Sequence, residues 1–80
     1  MLILNEQLIQ SIYKIEDAIR DVEAMLVAIH EGRVENPHRT VLNVPERNGS
    51  VLYMPSSDGT SMAATKIVSI FPDNSSANLP

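Results

Sequence analysis

One amphipathic helix is the feature that most constrains how this chain folds. Apolar residues recur at spacings of four and three, which places them on one face of an α-helix. They are Ile15, Ile19, Val22, Leu26 and Ile29. Acidic residues crowd the first turns, where the helix dipole favours them, and Gly32 is well placed to end the helix. The pattern predicts a helix from about residue 14 to residue 31.

The remaining sequence is typical of strands and turns. Short apolar or β-branched runs predict strands at about residues 2–4, 39–44, 50–54 and 62–71. Residues 45–49, PERNG, contain Asn-Gly and predict a β-hairpin, and residues 55–61 predict a second loop. Asn5 can cap a short helix through Gln10 or Ser11. The fold class expected is α+β, with the long helix packed on a small, mostly antiparallel sheet.

A chain of 80 residues forms at most one small domain, and this one is expected to be part of something larger. The last predicted strand leaves an open sheet edge, and the tail from Asp73 onward has no predicted element. We expect either the front of a longer chain or a unit that pairs with a copy of itself.

Composition excludes several classes of function. The net charge is −4 with no cluster of Lys or Arg, which argues against binding to nucleic acid or to an anionic membrane. There are no cysteines, and the two histidines lack metal-ligand spacing, so we expect neither a disulfide scaffold nor a metal site. No segment predicts a transmembrane helix or a secretory signal, so a cytoplasmic location is expected. No G-x-G-x-x-G or Walker loop is present.

Lys66 lies inside the last strand candidate, among apolar residues. A lone ammonium is costly to bury, so Lys66 either points to solvent or faces a cavity where an anion meets it. Arg39 begins another strand candidate, and the two cations together could bind a carboxylate. Both could equally be solvated side chains on an open sheet face.

Strand register decides whether these two cations share a face. If Val44 pairs with Ser50, then Thr40 shares a face with Met54, and Arg39 lies on the other face. His38 either lines the same pocket as Arg39 or is an ordinary loop residue. The other histidine, His30, is expected to have a structural role at the helix end.

The order of the motifs resembles the N-terminal part of the ornithine cyclodeaminase/mu-crystallin family. The helix IEDAIRDVEAMLVAIHEGRV is followed by Pro37-His38-Arg39, then by Tyr53-Met54-Pro55, and then by the strand ATKIVSIFPDN. The resemblance covers essentially all 80 residues. Each piece alone is weakly specific, whereas the ordered set is fairly specific.

The resemblance implies that residues 1–80 are the N-terminal part of a substrate-binding and dimerisation domain. Full family members are longer, add a Rossmann domain that binds NAD or NADP, and act on small amino or imino acids by hydride transfer. It implies that Arg39 grips the substrate carboxylate, and that Lys66 contacts the carboxylate or the reacting centre as a catalytic residue. Met54 is implied to flank the substrate pocket, and a homodimer is the expected assembly.

This sequence departs from the family pattern by lacking the Rossmann domain, the nucleotide fingerprint and the family's acid/base aspartate. We therefore expect no cofactor site in these 80 residues and no hydride transfer by them alone. The alternative function is a non-catalytic module that binds a small carboxylate or associates with itself.

Overall fold

The computed structural model describes all residues from Met1 to Pro80. The chain divides into two compact units, Met1–Arg33 and Val34–Pro80. The first unit holds two helices and the second a three-stranded antiparallel sheet, so the α+β prediction is confirmed. The packing of the long helix on the sheet stays a prediction. Neither helix combines the length and apolar character needed to span a membrane.

The first unit begins with a short capped helix, α1 (Glu6–Ile12). The side chain of Asn5 accepts a hydrogen bond of 2.9 Å from the backbone N–H of Leu8, which confirms the predicted cap. After α1, the Tyr13 hydroxyl donates a 2.6 Å hydrogen bond to the carboxylate of Asp21 in the second helix. This hydrogen bond is the main reason why the pKa of Tyr13 is raised.

The long helix, α2 (Ile15–His30), closely matches the predicted span, and Gly32 ends it as expected. Gly32 has a φ of 73°, and its N–H donates to the Ile29 carbonyl at 3.0 Å. The N–H of Arg33 donates to the Ala28 carbonyl at 3.0 Å. These two bonds form a Schellman motif, in which a left-handed residue lets the last carbonyls of the helix find donors.

The apolar face of α2 is uncovered. Ala28, at 6% exposure, is the one buried residue of the chain. The five residues that define the face remain 53–68% exposed: Ile15, Ile19, Val22, Leu26 and Ile29. The periodicity predicted the face correctly, and within the unit Met1–Arg33 this face stays exposed.

The strand predicted at residues 2–4 is wrong. Leu2, Ile3 and Leu4 belong to no regular element and are exposed. A strand forms only where its backbone groups find a partner strand. The sheet is built from three other segments.

The second unit contains β1 (Thr40–Val44), β2 (Gly49–Ser57) and β3 (Ala63–Ile70), in the spatial order β1-β2-β3. The predicted hairpin is confirmed, and β3 lies at an edge as expected. The middle strand is longer than predicted, because residues 55–57 continue the ladder with β3.

The turn after β2 is stabilised by Asp58, whose carboxylate accepts hydrogen bonds from the N–H groups of Thr60 and Met62 at 2.8 and 3.1 Å. The same bonds, that of Thr60 first, lower the pKa of Asp58.

The hairpin register differs by one residue from the predicted one. Val44 pairs with Gly49, not with Ser50. The connection is a 3-10 turn, Pro45–Arg47, followed by Asn48 in the left-handed region with a φ of 47°. Asn tolerates this conformation better than most residues, so the Asn-Gly signal was correct for the turn but not for the register.

The tail forms a further element that the sequence did not predict. Pro72–Ala77 is a 3-10 helix, ended by Asn78 with a φ of 55°. The N–H of Leu79 donates to the Asn74 carbonyl, and the Asn74 side chain donates to the carbonyl of Pro80. Serine hydroxyls also donate to carbonyls three residues earlier, so local hydrogen bonds order this polar segment.

Candidate functional site

Two of the three predicted site residues are cross-strand partners, and the third lines a hollow with one of them. Met54 of β2 pairs directly with Lys66 of β3. Arg39 immediately precedes β1 and lines one hollow with Met54. Residues directly opposite in an antiparallel pair share a face of the sheet. Met54 and Lys66 are therefore on the same face, whereas Arg39 lies outside the paired strands. The conditional prediction that separated Arg39 from Met54 assumed a register that differs from the observed one.

An extra residue interrupts the ladder beside these residues. Glu35 forms an isolated bridge with Ser57, and the next pair along is Thr40 with Tyr53. Four residues, 36–39, thus face the three residues 54–56 of β2. Such a mismatch is the signature of a β-bulge, which bends a strand and redirects its side chains. Pro55 lies in this irregular stretch, the type of place where an inner strand tolerates proline.

The interruption creates a hollow of about 410 Å³. Its lining residues are Asn36, Pro37, His38, Arg39 and Met54. In a regular strand, consecutive side chains point to opposite faces. Here four consecutive residues line one hollow, which is the geometric consequence of the extra residue. Asn36 and Pro37 are lining residues that the sequence did not assign to a site, and His38 is the one that it left open between this pocket and an ordinary loop.

The positive charges of Arg39 and Lys66 suit the binding of an anion. Ion pairs of the chain join Arg20 to Asp17 and Arg33 to Glu31, so neither Arg39 nor Lys66 has a carboxylate partner. Within β1, β2 and β3, Lys66 is the one charged residue. Lys66 is exposed and does not line the hollow itself, and its expected contact with a substrate stays a prediction.

A second hollow, of about 510 Å³, lies near the hairpin turn and the C-terminal 3-10 helix. Its charged lining residues are Glu46, Arg47 and Asp73. Two carboxylates against one guanidinium would repel an anionic ligand, so this hollow is not the candidate carboxylate site.

The residues of this chain do not fit a metal or a dinucleotide. No group of three or more His, Cys, Asp or Glu residues could hold a metal ion. A dinucleotide site needs a parallel strand leading through a glycine-rich turn into a helix. Here the sheet is antiparallel, both helices precede it, and the three glycines, Gly32, Gly49 and Gly59, are far apart in sequence.

A solved structure closely resembles this chain. The Δ(1)-pyrroline-2-carboxylate reductase of Thermococcus litoralis, in complex with NADH and L-proline, superposes with a TM-score of 0.82 at 32% sequence identity. The likeness covers 100% of this chain and 25% of that one. The chain therefore spans about a quarter of the length of the reductase that it matches. No curated protein is similar enough to count as a match.

The family model of ornithine cyclodeaminase and mu-crystallin matches residues 1–80. That match covers every motif on which the resemblance was based, from the long helix to the strand that carries Lys66. The chain belongs to the ornithine cyclodeaminase/mu-crystallin family.

Proposed function

We propose that residues 1–80 form the N-terminal part of the substrate-binding domain of a longer NAD(P)-dependent enzyme that acts on small amino or imino acids. The observation that carries this proposal is that Met54 pairs with Lys66 and lines one hollow with Arg39, with both cations unpaired. The structural neighbour, which binds NADH and L-proline, supports the same class of ligand.

In this proposal the two cations hold one carboxylate from two sides. Strands lie roughly 4.8 Å apart, so residues two strands apart have Cα atoms about 10 Å apart. Arg39 and Lys66 both have long side chains, so their charged ends can converge over Met54. Arg39 supplies a planar bidentate fork, and Lys66 supplies a compact point charge. The thioether of Met54 gives the apolar floor that a small ring needs.

The dinucleotide supplies or accepts the hydride when it is bound, and we place its site in a Rossmann domain outside residues 1–80. The contribution of this segment is to bind the substrate carboxylate and to fix its orientation. Holding a reactant in one geometry lowers the barrier of a transfer step even when the holding residue makes no bond to the reacting atoms. Assembly as a homodimer stays a prediction.

Arg39→Ala tests the proposal in the full-length protein. Losing a hydrogen bond to a charged group costs roughly 1.5–3 kcal/mol, so kcat/KM for the amino or imino acid should fall about ten- to a hundredfold. Arg47→Ala is the matched control, because it removes the same unpaired charge from the opposite end of β1. Steady-state kinetics with L-proline and with a cyclic imino acid measure both variants.

Lys66→Met extends the same test. If both cations hold one carboxylate, the Arg39→Ala and Lys66→Met losses should not add in the double variant, with a coupling of about 0.5–3 kcal/mol. Wild-type kinetics in Arg39→Ala would contradict the proposal. Retained L-proline binding with no turnover in the wild-type protein would favour the non-catalytic ligand-binding module instead.

A further inference from the structure

The segment that ends in Arg39 is attached to β2 at both of its ends. Downstream, Thr40 pairs with Tyr53 in the regular ladder. Upstream, the Glu35 N–H donates to the Ser57 carbonyl at 3.0 Å, and the Ser57 N–H donates to the Glu35 carbonyl at 2.8 Å. The four residues between these two attachments have no partner in the ladder. Their placement therefore depends on the two pairs that flank them.

Ser56 adds a third hydrogen bond to the upstream attachment. Its hydroxyl donates to the Glu35 carbonyl at 3.2 Å, so this carbonyl accepts from the Ser56 hydroxyl and from the Ser57 N–H. A carbonyl oxygen has two lone pairs and accommodates both donors. The bond joins residues 21 positions apart, whereas the other serine hydroxyls that donate to carbonyls reach three residues back. Ser56 thus makes a tertiary contact where β2 faces the unpaired segment.

The segment between the attachments is short and stiff, so a constraint at Glu35 is passed on to Arg39. Pro37 has its φ fixed at about −65° by its ring. A residue before proline is restricted to extended conformations, and here that residue is Asn36. His38 is the one residue between Pro37 and Arg39. A displacement of the Glu35 carbonyl would therefore move the backbone from which the Arg39 side chain projects.

We propose that Ser56 is a positioning residue for the carboxylate site. Its hydroxyl fixes the upstream end of the segment 36–39, and through that segment it fixes the backbone of Arg39. This inference rests on the function proposed above, because Ser56 acts through Arg39 and does not touch the substrate. Bidentate pairing of a guanidinium with a carboxylate depends on precise geometry, so a small displacement of the arginine weakens it.

Ser56→Ala tests the inference in the full-length protein, in its dinucleotide complex, by calorimetry with L-proline. A hydrogen bond between uncharged groups contributes modestly, so the dissociation constant should rise about three- to tenfold, less than in Arg39→Ala. Ser56→Thr keeps the hydroxyl and should retain wild-type affinity. Ser50→Ala is the matched control and should also retain it. The Ser50 hydroxyl likewise donates from β2 to the neighbouring strand, at 3.1 Å to the side chain of Asn43, but at the hairpin end of the sheet.

The double variant separates positioning from a general loss of stability. Since Ser56 acts through Arg39, Ser56→Ala should change the L-proline dissociation constant less than about twofold in the Arg39→Ala background. A serine that only stabilised the fold would weaken binding by the same factor in both backgrounds.

Amide hydrogen exchange of the full-length protein, measured by NMR, reports on the attachment itself and needs no ligand. The N–H groups of Glu35 and Ser57 are the donors of the bridge. Ser56→Ala should speed their exchange about three- to tenfold, because the bridge opens more often once its third hydrogen bond is lost. Ser50→Ala should leave it unchanged.

The outcomes separate this inference from the proposed function. Wild-type L-proline affinity in Ser56→Ala, or an undiminished loss in the Arg39→Ala background, would overturn the role of Ser56 while Arg39→Ala still lost affinity. Unchanged exchange at Glu35 and Ser57 would overturn it as well. Wild-type affinity in Arg39→Ala would instead overturn the carboxylate site itself, and the inference with it.

Discussion

At the scale of single residues, the site depends on where the backbone directs three side chains. The resemblance to the family predicted Arg39, Met54 and Lys66 as site residues, and the structure pairs Met54 with Lys66 and puts Arg39 and Met54 in the lining of one hollow. Spacing alone could not do this, because a one-residue slip of the hairpin reverses the face of every side chain. The predicted pair of Val44 with Ser50 was such a slip. His38 was left undecided because a bulge leaves no clear mark in one sequence.

The close contact between Gly49 and Phe71 leads to a prediction about stability. A Cβ built on Gly49 would overlap the aromatic ring of Phe71. We expect Gly49→Ala to lower the free energy of unfolding by about 1–3 kcal/mol, because extra volume in a packed contact forces neighbours off their preferred positions. Chemical denaturation of the full-length protein measures the effect.

Two further variants identify the cause of that loss. Phe71→Leu in the Gly49→Ala background should recover part of the stability, since a smaller side chain makes room for the methyl group. Gly32→Ala has nothing within 4 Å of its new Cβ, so its expected cost of roughly 1–2 kcal/mol comes from the left-handed φ alone. If Phe71→Leu made Gly49→Ala worse than the sum of the single losses, steric overlap would not be the reason.

At the scale of elements, local signals predicted the helices well. The periodicity of α2, its glycine stop and the Asn5 cap of α1 all act within a few residues, so one sequence is enough to detect them. The incorrect predictions concern segments whose secondary structure depends on pairing with residues far away in the sequence. Residues 2–4 have the composition of a strand but no partner strand, whereas residues 55–57 look like a loop and are held as a strand by β3.

The hydrogen bond between Tyr13 and Asp21 joins α1 to α2 and leads to a pH prediction. It raises the pKa of Tyr13 above its ordinary value of 10.0. A group with a raised folded pKa contributes stability that is complete below the unfolded pKa and is lost as the pH rises through the folded one. The helical unit should therefore lose stability above pH 10, and Tyr13→Phe should abolish that contribution at lower pH.

Tyr53→Phe makes this measurable, because it leaves Tyr13 as the one tyrosine among residues 1–80. Expressed as this segment, the variant should show tyrosinate absorbance appearing at a higher pH than in the unfolded chain. Adding Asp21→Asn should bring the titration back towards the ordinary value. A titration of Tyr13 that Asp21→Asn leaves unchanged would show that the hydrogen bond is not its cause.

At the scale of the whole molecule, the most informative fact is how little is buried. Ala28 is the one buried residue, although 44% of the chain is hydrophobic. A folded domain of this composition normally buries most of its large apolar side chains. The ordered motifs were enough to recognise the family. No pattern in the sequence predicted which surface covers the apolar face of α2.

Residues 1–80 expressed alone should therefore present an exposed hydrophobic surface to solvent. We expect residues 1–80 to bind a hydrophobic fluorescent dye and to associate as concentration rises, because the face containing Ile19 and Val22 is exposed. Ile19→Gln should reduce both effects, whereas Glu16→Gln, which places the same residue one position outside the apolar series, should not. Dye fluorescence and sedimentation velocity measure them. Equal dye binding by the two variants would contradict this assignment.

The interrupted ladder also bears on how this segment can change length. Between Glu35 and Thr40 the number of residues, more than their identity, determines that the arginine and the histidine share one side. Removing a single residue there would restore plain alternation, so that consecutive side chains would point to opposite sides of the sheet. A homologue shortened at this point should therefore lack a hollow lined by four consecutive residues.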